Sequence, residues 1–290
     1  MIFSQIVSGL TEGAIFFLMA AGLTLVLGLT RIVNFAHGSF YMLGAFVGRD
    51  IYAFVGPTSL TGFFLSVFAA GFVVAIIGIV CERFVLRHVY GKEQLLQLLI
   101  TVGFVFIFRD VVKMIWGVQS LTTPIPHALS GPVIIGDMFL PLYSSMIALF
   151  GLSAMVLMLL VIFFTRAGII LRAATDDAQM VANLGINQQV VFCAVFATGC
   201  FLAGIAGALM APLTSINYLL DTTIIIGAFV VVVIGGLGNL YGAMIAALSI
   251  GVIKAIGVLY FPRFALVLIF LIMAAVLLIR SVMGTEQKRL

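Results

Sequence analysis

The chain has 290 residues, of which 64% are hydrophobic and only 8% charged, with a formal net charge of +4. Soluble domains average about 25% charged residues, so a water-surrounded globule is excluded, and at about 20 residues per membrane span no room is left for a soluble catalytic domain. The small positive charge is set by loops and reads as topology rather than nucleic-acid binding.

The apolar runs predict an all-α polytopic membrane protein with about nine transmembrane helices (range about eight to ten) in one permease-like domain over 1–290. The runs fall at about 5–30, 35–55, 60–81, 95–116, 139–164, 189–211, 223–237, 240–259 and 263–280. The first is long enough to span, and no basic residue precedes it, so no cleavable signal is expected. The second begins in polar residues and reads as partly broken. The seventh is short and flanked by glycine, so it either spans or re-enters. Basic residues Arg83, Arg87 and Lys92, then Arg166 and Arg172, then Arg280, Lys288 and Arg289 mark three loops or ends for the cytoplasmic side. With nine spans the N-terminus is then outside and the C-terminus cytoplasmic. The loops 117–137 and 213–221 fall outside. Four spans, one, then four would set the second four against the first, an inverted-repeat arrangement found in transporters.

Several residues stand out along the way. Asn34, His37 and Gly38 open the second span, where a histidine is either a proton relay or an interfacial residue with hydrogen-bonded neighbours. Arg109, Asp110 and Lys113 put charge inside the fourth span, at about 2.5–3.5 kcal/mol each on insertion scales. They either line a water-filled path or cluster at the outer interface beside Trp116, a belt residue. Stripes of small residues suit close helix packing: Gly9 and Gly13 on the first span, Gly199, Ala203, Gly207 and Ala211 on the sixth, and Ala243, Ala247, Gly251 and Ala255 on the eighth. Lys254 lies alone in the eighth span, either snorkelling or paired with an unassigned partner. The three cysteines form no disulfide framework, and Cys193 and Cys200 read as small buried apolar residues. The run Gly235-Gly236-Leu237-Gly238-Asn239 lacks the Lys-Ser/Thr of a phosphate-binding loop, so the chain is not expected to bind ATP itself. No metal-binding or nucleophile–base set appears.

The stretch 166–189 is hydrophilic yet built of helix formers. Ala173, Met180, Val181 and Leu184 fall on one side of a helix expected over about 172–184, with Arg172, Asp176, Gln179 and Asn183 on the other. Gly185 is placed to end it. Such a helix suits either docking into a partner's groove or lying on lipid.

Two blocks carry a resemblance. Asn34-Phe35-Ala36-His37-Gly38, continuing through Met42, Leu43, Gly44 and Ala45, and Leu171–Ile186 with its Arg172, Ala173, Asp176, Asp177, Ala182, Gly185 and Ile186, resemble the permease subunits of branched-chain amino-acid (LivH-type) ABC importers. Glu82-Arg83, Thr101-Val102-Gly103, Ala211-Pro212-Leu213 and the run 235–243 add weaker likeness. The resemblance implies that 166–189 is a cytoplasmic coupling loop contacting an ATPase. It also implies that Asn34, His37 and Gly38 are a structural signature near the pathway; Arg109 and Asp110 are further pathway candidates by their charge inside a span, not by the resemblance. The charged cluster at 109–113 departs from the family pattern, where apolar residues are expected. The resemblance further implies a second permease subunit in a heterodimer, two ATPase subunits holding ATP and Mg, a periplasmic substrate-binding protein and a lipid inner membrane. It places the gate along the first and fourth spans. Urea and amide importers share the family, and a self-sufficient ion-coupled carrier or channel is the rival class, needing ionisable residues near mid-membrane.

Overall fold

The computed structural model describes residues 2–30, 32–56, 59–135, 138–260, 262, 267 and 270–278. In chain order the helices are α1 (Ile2–Thr30), α2 (His37–Val55), α3 (Leu60–Phe84), α4 (Gln94–Trp116), α5 (Leu142–Phe164), α6 (Arg166–Asp176), α7 (Ala178–Asn183), α8 (Gln188–Met210), α9 (Leu220–Gly235) and α10 (Leu240–Tyr260). Residues 270–278 are also helical. The protein is thus an all-α, multi-pass membrane protein. Six of the described helices, α1, α3, α4, α5, α8 and α10, are long and apolar enough to cross a membrane. Residues 263–266, 268–269 and 279–280 of the ninth expected span, and the basic residues Arg280, Lys288 and Arg289, lie outside the described residues.

Helix neighbours repeat in the order expected of an inverted pair. The α1–α10 contact is matched by α8–α3, α2–α8 by α9–α1, and α2–α3 by α9–α10, with α1–α8 and α2–α9 crossing between the halves. Directions agree. Gly44 and Gly48 of α2 face Gly204 and Ala208 of α8, so these two run parallel, whereas Gly71 and Gly78 of α3 face Ile205 and Cys200 and run against it. Thr11 and Ala14 of α1 meet Ser144 and Gly151 of α5, again in parallel. This is the alternation a nine-span count requires.

The small-residue stripes are contacts within this chain. A Cβ added at Gly13 would lie 2.9 Å from the Ala247 carbonyl oxygen, and one at Gly251 would lie 2.3 Å from that of Gly9. No side chain larger than hydrogen fits at these two crossings. Close backbone approach is what packs helices where lipid supplies no hydrophobic drive.

One end of the bundle gathers the C-terminus of α1, the 83–93 loop, the α6–α7 segment and the α9–α10 turn: Gly28 lies against Gly238 and Thr175, and the Tyr90 ring meets Phe192 with centroids 5.5 Å apart. The opposite end carries a short hairpin, β1 (Pro132–Ile135) against β2 (Met138–Pro141), antiparallel with Val133 opposite Leu140. The apolar run at 139–164 therefore starts as a strand, and its helix begins only at Leu142. A separate bridge ties Leu121 to Ile216.

Two expectations change here. The loop 213–221 does not stay at the surface, because its last residue, Asp221, packs its backbone against Gly38. Ser39 is eleven residues from Asp50, which bonds Trp116 at the hairpin end, so Asp221 lies about 16 Å inward at 1.5 Å per residue. Helix α9 thus starts inside the membrane, as does α2, whose first residue bonds Met19 of α1. Secondly, α1 is buried along nearly its whole length by helices of this chain. Of the two spans expected to form the gate, α4 is thus the one left mostly exposed.

Candidate functional site

The α6–α7 segment is two helices rather than one. Thr165 caps α6, its hydroxyl accepting from the Gly168 N–H at 3.2 Å. At Asp177 the backbone turns extended (φ −147°, ψ 98°) and the carboxylate accepts from the Met180 N–H, capping α7. A short acidic side chain competing for backbone N–H groups is the physical reason the continuous helix breaks. Gly185 sits at φ +83° just past α7, as its expected stop requires. Ala174 and Val181 face inward, while Ala173, Asp176, Asp177, Gln179, Met180, Ala182 and Leu184 are exposed and Ile186 is half-buried. The expected apolar side thus turns Met180 and Leu184 outward, beside the carboxylates. Arg172 stacks on the Phe163 ring at 4.9 Å from its centroid, which fixes α6 to the end of α5.

Beside this surface the 83–93 loop packs Leu86 and Val89 inward. Glu82 is fully buried, and neither its oxygens nor the Tyr90 hydroxyl has a hydrogen-bond partner among the described residues. Burial, then the neighbouring Glu82 carboxylate, pushes the Tyr90 phenol well above the usual tyrosine range.

The second cluster lies at mid-membrane. The Arg109 guanidinium grips Asp221 in a forked pair, Nε to Oδ2 at 2.9 Å and Nη2 to Oδ1 at 2.9 Å. Asp221 also accepts from the Ser39 hydroxyl at 3.2 Å and the Thr222 N–H at 2.8 Å. The partner of Arg109 is therefore Asp221 and not its sequence neighbour Asp110, which pairs with Lys113. Asp110 and Lys113 remain on the exposed side of α4 near Trp116, while Arg109 reaches inward. Lys254 is also partnered: it pairs with Glu12 of α1 and lies over the Phe16 ring.

The Asn34–Gly38 block is structural here. The His37 ring nitrogen lies 3.1 Å from the Met19 carbonyl, with the side chain 1% exposed, so it is neither interfacial nor open to a path. Asn34 is equally buried and accepts from the Ala36 N–H. Gly38 allows the α9 backbone to approach. The Gly235–Asn239 turn likewise joins α9 to α10, with Gly236 and Gly238 at positive φ. A cavity of about 690 Å³ between α5, α6 and α8 is lined by Phe150, Met158, Ile162, Leu171, Val195 and Phe201 among others. Its polar side chains are Ser153 and Thr198 alone, so it offers no charged group to a zwitterion.

The family model described as branched-chain amino acid transport system, permease component, matches residues 5–277. The high-affinity branched-chain amino acid transport system permease protein BraD of Pseudomonas aeruginosa is 32% identical over 263 residues, covering 87% of this chain and 85% of the relative. LivH of Escherichia coli (strain K12), with the corresponding name, is 32% identical over 268 residues, covering 88% and 86%. A probable LivH from Methanocaldococcus jannaschii is 26% identical over 305 residues, covering 96% and 93%. No solved structure matches the chain. With a family match over nearly its full length and relatives at this identity, the chain belongs to the permease-component family of branched-chain amino acid transport systems.

Proposed function

We propose that this chain is one permease subunit of an ATP-driven importer that carries branched-chain amino acids across a bacterial inner membrane. The observation that carries the reading is the similarity, over most of its length, to permeases named for that transport. The exposed α6–α7 surface supports it. There Asp176, Met180 and Leu184 offer an apolar and acidic face to an ATPase, with Arg172, Ala173, Asp177, Ala182, Gly185 and Ile186 shaping the same segment. In this assembly a second permease subunit completes a heterodimer, two ATPase subunits hold ATP and Mg, and a periplasmic binding protein delivers substrate. The chain itself performs no chemistry. The α6–α7 end is cytoplasmic, which puts the N-terminus and the hairpin outside.

The test is uptake of labelled leucine into vesicles holding the reconstituted complex, with and without ATP and a binding protein. Uptake that needs both is expected. Uptake by this chain alone would replace the importer with a self-sufficient carrier, and transport of urea in place of leucine would change the substrate class.

A further inference from the structure

We infer that the exposed face formed by α4 and the first turn of α9 lines the substrate path, and that the open Nη1 edge of Arg109 takes the α-carboxylate of the passing amino acid. This rests on the importer reading and adds a binding subsite to it.

The exposed faces of the spans are not alike. Those of α3 and α5 are apolar, with Leu65, Phe72 and Ile76 on one and Leu149, Val156 and Leu160 on the other. The half-buried Ser145 and exposed Ser153 of α5 bond carbonyls of their own chain nearby, Pro141 and Phe150. Such faces suit lipid. The α4–α9 face also exposes Phe106, Ile107 and Met114, but it adds exposed Asp110, Thr222 and Thr223, with half-buried Arg109 and Lys113 beside them. Polar and charged side chains at this depth turn toward water or protein, not hydrocarbon. The polar strip runs from the Trp116 end inward to Asp221, about 16 Å down by helical rise.

Within it, Arg109 is built to hold a carboxylate. Its Nε and Nη2 are fixed by Asp221, and Nη2 also reaches the Thr222 hydroxyl at 3.3 Å. Its Nη1 makes no hydrogen bond among the described residues and stays free on the guanidinium edge. A guanidinium is planar, so fixing one edge aims the other. Asp221 is a positioning residue. It orients Arg109, and it cancels the charge that would otherwise hold an anion too tightly to release. The apolar cavity beside α5 lacks any such group.

The experiment uses the assembled complex in vesicles, with Cys81, Cys193 and Cys200 replaced by alanine and a single Thr223→Cys probe. Thr223 is exposed on the same turn but takes no part in the proposed contact. A membrane-impermeant thiol reagent should modify Thr223→Cys, and leucine supplied with binding protein and ATP should slow that reaction. A Phe72→Cys control should stay unmodified. Arg109→Gln should lower leucine uptake by about tenfold or more and should abolish the protection at Thr223→Cys. Arg109→Lys, which keeps the charge but not the fork, should fall between. The paired variant Arg109→Met with Asp221→Leu leaves no charge buried alone and should assemble without transporting. No modification of Thr223→Cys, modification without protection, or parental uptake by the paired variant would each overturn the subsite. Failure of the unaltered complex to import leucine in the same vesicles would instead overturn the importer reading.

Discussion

Asp221 shows how a single carboxylate can hold three elements together at once. It ties Arg109 of α4 and Ser39 of α2 to the first turn of α9. Removing it alone strands a guanidinium in a poorly solvated site, and breaking a buried pair in this way typically costs about 3–5 kcal/mol. Asp221→Ala should therefore lower the thermal unfolding midpoint in detergent markedly, and the combination Arg109→Met with Asp221→Leu should recover most of the loss. The anomaly at Arg109 was legible in the sequence, because a charge inside an apolar run is visible at once. Its partner was not. Asp221 is 112 residues away at the edge of what reads as an outer loop, and Asp110 stood next door as the obvious counter-ion. Glu12 and Lys254, 242 residues apart, were hidden from each other by the same gap between chain distance and spatial distance.

At the scale of elements, the α6–α7 pair separates two carboxylates that look equivalent in the sequence. Asp177 caps α7, so Asp177→Ala should loosen that helix by about 1 kcal/mol, seen as faster amide exchange at Met180 and Val181. Asp176 is exposed and makes no such bond among the described residues. Asp176→Ala should change stability by less than about 0.5 kcal/mol while weakening co-purification with the ATPase subunits; unchanged co-purification would remove Asp176 from the contact. The neighbouring loop adds a pH effect. Tyr90 is held protonated in the folded protein beyond the usual tyrosine value near 10. Its contribution is complete below about pH 10 and is lost as pH rises above it, because the unfolded chain can then release a proton that the folded one retains. Tyr90→Phe should flatten the alkaline limb of a stability–pH curve. Helix positions were readable from hydropathy: α4, α8 and α10 begin and end within a residue of their apolar runs. The break at Asp177 was not, because acidic residues are common in surface helices and only backbone geometry shows which one turns back to cap.

For the whole molecule, the contact pattern turns a topological count into an architecture. Matched neighbours such as α1–α10 and α3–α8 place the two inserted starts, α2 and α9, head to head at Gly38 and Asp221. The order of spans predicted that opposition, but the absence of sequence likeness between the halves hid how closely their contacts correspond. Single cysteines at Glu93 and Asp176 should react from one side of the membrane and one at Ser130 from the other, and any other result would dismantle the arrangement. Gly251→Leu should push α10 off α1, since even a Cβ there would meet the Gly9 oxygen at 2.3 Å. Overpacking of this kind costs about 1–3 kcal/mol or more, measurable as lost monodispersity in detergent.

The enclosure of α1 has a consequence for how the protein is made. This helix leaves the ribosome before its packing partners α5, α8, α9 and α10, and Lys254, the partner of Glu12, follows 242 residues later. Until then the newborn helix carries an uncompensated carboxylate and a bare glycine seam in the bilayer. Shelter by an insertion factor or the translocation channel is expected until those helices arrive. Chains halted before α10 should be degraded quickly, and Glu12→Gln should lengthen their lifetime in a pulse-chase experiment even though it weakens the finished protein.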